Sequence, residues 1–317
     1  MKARYWIAGG ALAGAGAMLW VLRNRPPARP RTHLLDLEPG GEMPGSGGGR
    51  VHFVGTATTI IEYRGLTILT DPNFLHRGEQ IHIGYGMHAT RLTDPAFDFE
   101  DLPPIDFVLL SHLHEDHFDK LVERKLARST PILTPSSAAR TLARRGFTNT
   151  YPLRTWDRVN VRKGSISLRV TAMPGLHAPL PMAVAMPDVM GSMLEFRDDR
   201  DRGRYRMYIT GDTLMVRDLQ DIPRRFPEID LMLLHLGGTR VAGVLVTMNA
   251  EQGIEAMRLM RPDVTIPVHY NDYDVFQEPL DEFVRAVERA GLADKVRYLE
   301  GGETYAFSPH EALVGRT

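Results

Sequence analysis

Leu109 to Asp119 reads LLSHLHEDHFD, and three of the chain's twelve histidines fall within six positions of it. The run before it, IDFVLLS, reads as a buried strand. Alternate residues of an extended chain point the same way. His112 and His114 therefore project together from the strand end. HFDKLVERKLA reads as an amphipathic helix, so Asp116 and His117 are expected in its first turn. The change of backbone direction between the two pairs lets them face two neighbouring ions. Three imidazoles and a carboxylate this close repel or compete when protonated. A divalent cation resolves the conflict, because it takes the neutral ring and the ionised carboxylate. Nitrogen and oxygen donors of this kind suit zinc, with manganese and iron as substitutes.

Outward from the cluster, VHFVG, TTIIEY and LTILTD read as strands from Val51 onward, with a turn at Arg64 and Gly65. Pro72 to Pro104 has many turn residues and no clear period, as lids and binding loops do. SLRVTAMPG, YRMYITGD, IDLMLLHLGG and DVTIPVHY are further strands. Helices are expected from Ala250 to Arg261, capped by Asn249 and ended by Pro262, and over LDEFVRAVERAG, closed by Gly291. PPIDFVLLSHLH and PEIDLMLLHLGG share one pattern. Each has a proline, Ile-Asp, four apolar residues and a polar end with histidine, which suggests two similar halves presenting strand ends to a common place.

Composition bounds the chemistry. The chain has 317 residues, 43% of them hydrophobic, and a net charge of −1, so nothing points to nucleic acid. There is no cysteine, which excludes disulfides, thiolate zinc sites and iron–sulfur clusters. Tyr5 to Leu22 is an uncharged 18-residue run between Lys2/Arg4 and Arg23/Arg25, long enough to span a bilayer. Residues 1–25 are expected to form an N-terminal membrane anchor, with a cleaved signal and secretion as the alternative. The arginines after the run place the catalytic domain on the cytoplasmic side under the positive-inside rule. Residues 26–50 read as a flexible linker, 51–309 as the folded domain that carries the cluster and 310–317 as a tail.

With HLHEDH, the pieces TILTDP, PGLH, YITGDT and IPVHY resemble, in this order, the metallo-β-lactamase fold superfamily. The resemblance runs from about Val51 to about Tyr305. It implies an α/β fold, a four-layer αββα sandwich, here behind one membrane-spanning helix. It also implies two divalent metal ions. The first would take His112, His114 and His177, the second Asp116, His117 and His269, and Asp212 would bridge them. Asp71 would support the ligands by hydrogen bonds, or cap the turn before Pro72 as a strand-end aspartate. The implied activity is hydrolysis, in which a metal-bridged hydroxide attacks an ester, lactone or phosphodiester while Asp116 orients the water or accepts its proton.

Within the superfamily the opening VGTATTIIEYRGLTILTDP and the approach DLPPIDFVLLSHLHEDHFD resemble the branch of N-acyl-phosphatidylethanolamine phospholipase D and ascorbate-6-phosphate lactonase. A membrane anchor suits a lipid substrate. The chain departs from that branch in lacking a Trp-rich stretch after the third histidine and in having GDTLM for GDTGY. Two other classes stand beside the hydrolase: a di-iron redox protein and a non-catalytic membrane-tethered metal-binding scaffold. His235 ends the second strand of the echo. It is expected either to serve the site, as proton donor or anion holder, or to be packed structurally. Thr239 and Arg240 follow it and are candidates for substrate binding. His82 and His88 lie in the long segment and could line the entrance or a mobile loop.

Overall fold

The computed structural model describes residues 29–39, 48–84, 87–198 and 204–308. In chain order the strands are β1 (Thr32–Leu37), β2 (Gly49–Gly55), β3 (Thr58–Tyr63), β4 (Leu66–Thr70), β5 (Gln80–Gly84), β6 (Met87–Thr90), β7 (Phe107–Leu109), β8 (Ile132–Pro135) and β9 (Thr150–Leu153). They continue with β10 (Arg158–Lys163), β11 (Ile166–Met173), β12 (Gly191–Asp198), β13 (Arg204–Ile209), β14 (Leu231–His235), β15 (Arg240–Val241), β16 (Val244–Leu245), β17 (Val264–Val268) and β18 (Thr304–Phe307). The helices are α1 (Lys120–Lys125), α2 (Ser136–Arg144), α3 (Asp221–Arg225), α4 (Ala250–Met260) and α5 (Leu280–Ala290).

Two seven-stranded sheets carry the fold, ordered β1-β10-β11-β12-β13-β14-β17 and β18-β2-β3-β4-β7-β8-β9. Alternation along their strands sends one set of apolar residues inward. Val51, Phe53, Ile61 and Phe107 of one sheet meet Leu168, Val170, Leu194, Met207 and Leu233 of the other. The opposite faces bury against helices. Ile254, Met257, Phe283 and Val287 of α4 and α5 cover the first sheet, and Val122 and Leu142 of α1 and α2 cover the second. This is the expected αββα layering. α4 starts at Asn249, whose side chain accepts from the Gln252 amide, and ends at left-handed Arg261 before Pro262. α5 ends on Gly291 at φ 67°.

The sequence echo is a structural one. β7 lies between its parallel neighbours β4 and β8 in one sheet, and β14 between β13 and β17 in the other. At the head of β7, Asp106 bonds Thr67 twice: its amide donates to the Thr67 carbonyl, and its Oδ2 accepts from the Thr67 amide. Asp230 does the same to Arg206 at the head of β14. Both aspartates thus complete the start of a parallel ladder, and both strands run towards the same edge of the sandwich.

Three expectations change. Thr32–Leu37, inside the stretch read as linker, is an edge strand parallel to β10. The aperiodic segment 72–104 contains the β5–β6 hairpin. The helix after the cluster is short: α1 begins at Lys120, behind Asp119. No helix among the described residues is long and apolar enough to cross a membrane. The span read at 5–22, and with it the 1–25 anchor, lies outside the described residues, as does the tail 310–317.

Candidate metal centre

The C-terminal ends of parallel strands are where α/β sheets place their sites, and here two such bundles end together. Asp71 follows β4, the histidine cluster follows β7, Asp212 follows β13, His235 ends β14 and His269 follows β17. His177 comes from the loop after β11. Asp116 and His117 sit in a tight turn, not in a helix: the amides of His117 and Phe118 both donate to the His114 carbonyl, at 3.1 and 2.9 Å. Gly211 at φ 62° sets up Asp212, and a Cβ there would lie 2.8 Å from the Met190 carbonyl oxygen. His269 holds φ 64° without being glycine, a strained conformation of the kind found at functional sites.

The seven implied ligands do converge. His112, His114 and His177 form one group, and Asp116, His117, Asp212 and His269 a second. In the first, His114 Nδ1 is 2.9 Å from His112 Nε2 and 3.1 Å from His177 Nε2. In the second, His117 Nε2 and His269 Nε2 are 3.2 Å apart, and Asp116 Oδ2 is 3.3 Å from His269 Nε2. Asp212 Oδ2 reaches both groups, at 3.4 Å from His117 Nε2, 3.5 Å from His269 Nε2 and 3.9 Å from His177 Nε2.

Outer contacts fix the rings. The carbonyls of Val246 and Leu236 face Nδ1 of His177 and His269 at 2.8 and 3.0 Å. A carbonyl only accepts, so both Nδ1 atoms carry hydrogen, and Nε2 is the atom each ring turns to the centre. Asp71 is buried; its Oδ1 accepts from the Ser111 amide at 2.7 Å, and its Oδ2 is 3.5 Å from His117 Nδ1. His235 is 1% exposed, stacked behind the His117 ring at 6.0 Å. Its Nδ1 is 3.2 Å from Thr210 Oγ1 and its Nε2 is 3.5 Å from Asp71 Oδ2. His235 therefore packs beneath the ligands, where it has no access to a leaving group.

The β15–β16 hairpin begins at Arg240, which is exposed and bonds the Gly243 carbonyl, while Thr239 is buried. The hairpin delivers the Val246 carbonyl to His177, and just beyond it Thr247 Oγ1 donates to Asp212 Oδ2 at 3.3 Å. His82 and His88 are exposed cross-strand partners in β5–β6, and the His82 amide donates to Glu115 in the cluster turn at 2.8 Å. Sequence reasoning missed Thr247, Ser111 and a buried network under the turn. There Arg91, 1% exposed, bonds Asn73 and the Thr93 carbonyl and lies over the Tyr273 ring. Asn73 in turn donates to the Glu115 carbonyl at 3.0 Å. Ser111, beside the cluster, was findable; Arg91, in an aperiodic segment, gave no signal.

The two groups differ electrostatically. Burial and the neighbouring rings hold His112 well below its usual value, and burial with the closeness of the His177 ring pushes His114 down to about 3. His177 is also lowered, chiefly by burial. Those rings are neutral and ready to ligate. Burial opposes charge on His117 too, but the carboxylates of Asp212, Asp116 and Asp71 outweigh it and raise it well above the usual value. His269 is raised for a like reason, by Asp212 and Asp116 against burial. Asp116 Oδ1 and Asp212 Oδ1 are buried with no hydrogen-bond partner among the described residues. Buried polar atoms need partners, and five convergent imidazoles have lone pairs that hydrogen bonds among themselves cannot all satisfy. The donor set fits a pair of divalent cations.

The beta-lactamase superfamily domain family matches residues 67–270. A UPF0173 metal-dependent hydrolase of Archaeoglobus fulgidus is 30% identical over 213 residues, 64% of this chain and 82% of that protein. One from Ignicoccus hospitalis is 28% identical over 262 residues, 81% of this chain and 97% of its own length. Among solved structures, the isothiocyanate hydrolase from Delia radicum gut bacteria aligns with a TM-score of 0.69 at 20% identity, covering 82% of this chain and 99% of that one. That likeness is one of fold.

Proposed function

The chain belongs to the beta-lactamase superfamily, among its UPF0173 metal-dependent hydrolases, and from that membership we propose that it works with two divalent cations, zinc by preference, to cleave an ester, lactone or phosphodiester bond. The observation that carries this reading is Asp212 Oδ2, within 3.9 Å of a donor nitrogen in each ligand group. His112, His114 and His177 would hold one cation, Asp116, His117 and His269 the other, with Asp212 between them. When bound, such a pair supplies Lewis acidity: it makes water a nucleophile near neutral pH and stabilises developing negative charge.

The protein's own groups do the rest. Asp116 has one oxygen turned to His269 and leaves Oδ1 free, placed to orient a water and take its proton. Asp71 holds the His117 ring, and Thr247 holds Asp212, so neither ligand must reorganise as charge develops. Leu180 and Val184, exposed at 44% and 43%, follow His177 in a loop rich in methionine and proline. They favour a substrate with an apolar arm, a lipid among them, and membrane attachment through residues 5–22 would bring the site to such a substrate.

Assay of the metal-loaded protein against bis-p-nitrophenyl phosphate, p-nitrophenyl esters, lactones and N-acyl phospholipids tests the reaction class. Turnover of at least one, lost in Asp212→Ala, is expected; turnover unchanged in that variant would overturn the proposal. Deleting residues 1–25 should release the protein from membranes, and continued sedimentation with vesicles would refute the anchor.

A further inference from the structure

Far along the outer face of the first sheet from the metal centre, side-chain chemistry changes abruptly. Positions two apart on a strand share a face. On that face Met173 gives way to Thr171 and Arg169 along β11, Met193 to Glu195 along β12, and Tyr208 to Arg206 along β13. Between these residues, Arg158 of β10 and the end of α3 lies a cavity of about 310 Å³, also walled by Trp156, Arg225 and Phe226. Four guanidinium groups line it against a single carboxylate.

That carboxylate is already engaged. Glu195 Oε1 lies 3.4 Å from Arg206 Nε and 3.8 Å from Arg197 Nη2. Among the described residues Arg169 bonds only the neutral Asn160 side chain, at 3.1 Å. Arg225 lies over the Trp156 ring at 4.2 Å. Arg158 and Thr171 face each other across the β10–β11 ladder. Arg158 Nε and Thr171 Oγ1 are both buried without a hydrogen-bond partner among the described residues. Positive charge in excess of counter-charge, in a half-enclosed space, attracts an anion. Two unpartnered buried polar atoms side by side define where its oxygens would go.

We propose that this cavity binds a small phosphate monoester, its phosphate held by Arg158, Arg169 and the Thr171 hydroxyl. Guanidinium forks match phosphate oxygens in pairs, and a dianion answers more than one unpaired arginine where a lone carboxylate would not. The volume suits a metabolite up to mononucleotide size. The site shares no residue with the metal centre, so its occupant is an accessory ligand and not the hydrolysed substrate.

Trp156 reports on the cavity directly. Tryptophan emission of the full chain is titrated with glycerol 3-phosphate, inorganic phosphate and glycerol at fixed ionic strength. The expected result is a saturable change with glycerol 3-phosphate, weaker binding of inorganic phosphate and none of glycerol. The signal should vanish in Trp156→Phe and persist in Asp212→Ala. Arg158→Gln/Arg169→Gln should weaken binding roughly tenfold or more. Arg225→Gln, on the exposed rim, should weaken it about threefold and serves as the test if the double variant fails to fold. The proposal is overturned if no saturable change occurs, if the folded arginine variants titrate like the parent, if the change is lost in Asp212→Ala, or if inorganic phosphate binds as tightly as the ester.

Discussion

Residue by residue, the centre divides into groups that would touch metal and groups that aim them. Asp212 reaches both ligand groups, so Asp212→Ala should lower kcat/KM by at least about a hundredfold, more than loss of an outer partner, and reduce bound metal measured by elemental analysis. His235 would act at one remove, through Asp71 on His117. Loss of such a partner costs about ten- to hundredfold in metal affinity. His235→Ala should show that loss in calorimetric metal titration with an unchanged circular dichroism spectrum, and His235→Gln, which keeps a donor towards Asp71, should recover most of it. The opposed protonation of the two groups gives a further expectation. His117 and His269 are raised by the neighbouring carboxylates against burial, so at their site a cation competes with protons to higher pH. Affinity at their site should rise with pH until those raised values are passed, and fall as pH drops. The His112, His114 and His177 group, lowered by burial, should lose affinity only in more acid solution. Titrations in buffers of different ionisation enthalpy should show more proton release for one equivalent of metal than for the other. The cluster at 112–117 was legible because six adjacent residues cannot avoid one another. The burial of His235 was not, since a histidine ending an apolar strand points into a cleft or under it with the same local sequence.

At the scale of elements, the turn between β7 and α1 does more than cap a helix. Asp119 accepts from Val122 of α1 at 2.7 Å and from Phe74 and Leu75, in the loop after Asp71, at 2.5 and 3.1 Å. One carboxylate thus ties the ligand turn to the strand end that carries Asp71. Asp119→Ala leaves three amides short of a partner and should destabilise the fold by about 2–4 kcal/mol, read from urea unfolding. Strands flanked by turn residues were legible from their apolar runs, and α4 and α5 from cap to cap. β1 was not. Thr32–Leu37 alternates weakly and follows a proline- and arginine-rich stretch, and what makes it a strand is the exposed edge of β10. α1 read too long because HFDKLVERKLA keeps a helical pattern through residues that the Asp116–His117 turn takes for itself.

For the whole molecule, the ligands come from both sheets. The 112–117 cluster hangs from β7 of one sheet, whereas His177, Asp212 and His269 hang from β11, β13 and β17 of the other. Metal held there would bridge the two halves of the sandwich and stabilise the folded state alone. At a hundredfold excess over Kd that amounts to about 2.7 kcal/mol per site, so chelation should lower Tm by roughly 5–10 °C, and readdition of zinc should restore it. By itself the sequence determined the donors, the apolar strands that end on them and the repeat of Ile-Asp followed by four apolar residues, because these are properties of short segments with a fixed backbone period. The joining of His177, Asp212 and His269 to a cluster some 60 to 160 residues earlier in the chain reached the sequence reading only through family resemblance. The tertiary structure alone decided which histidines meet the centre and which lie beneath it, and gathered Arg158, Arg169, Arg206 and Arg225 around one cavity. Those outcomes depend on how two sheets pack and which strands become neighbours, and contacts between distant segments leave no local period to read.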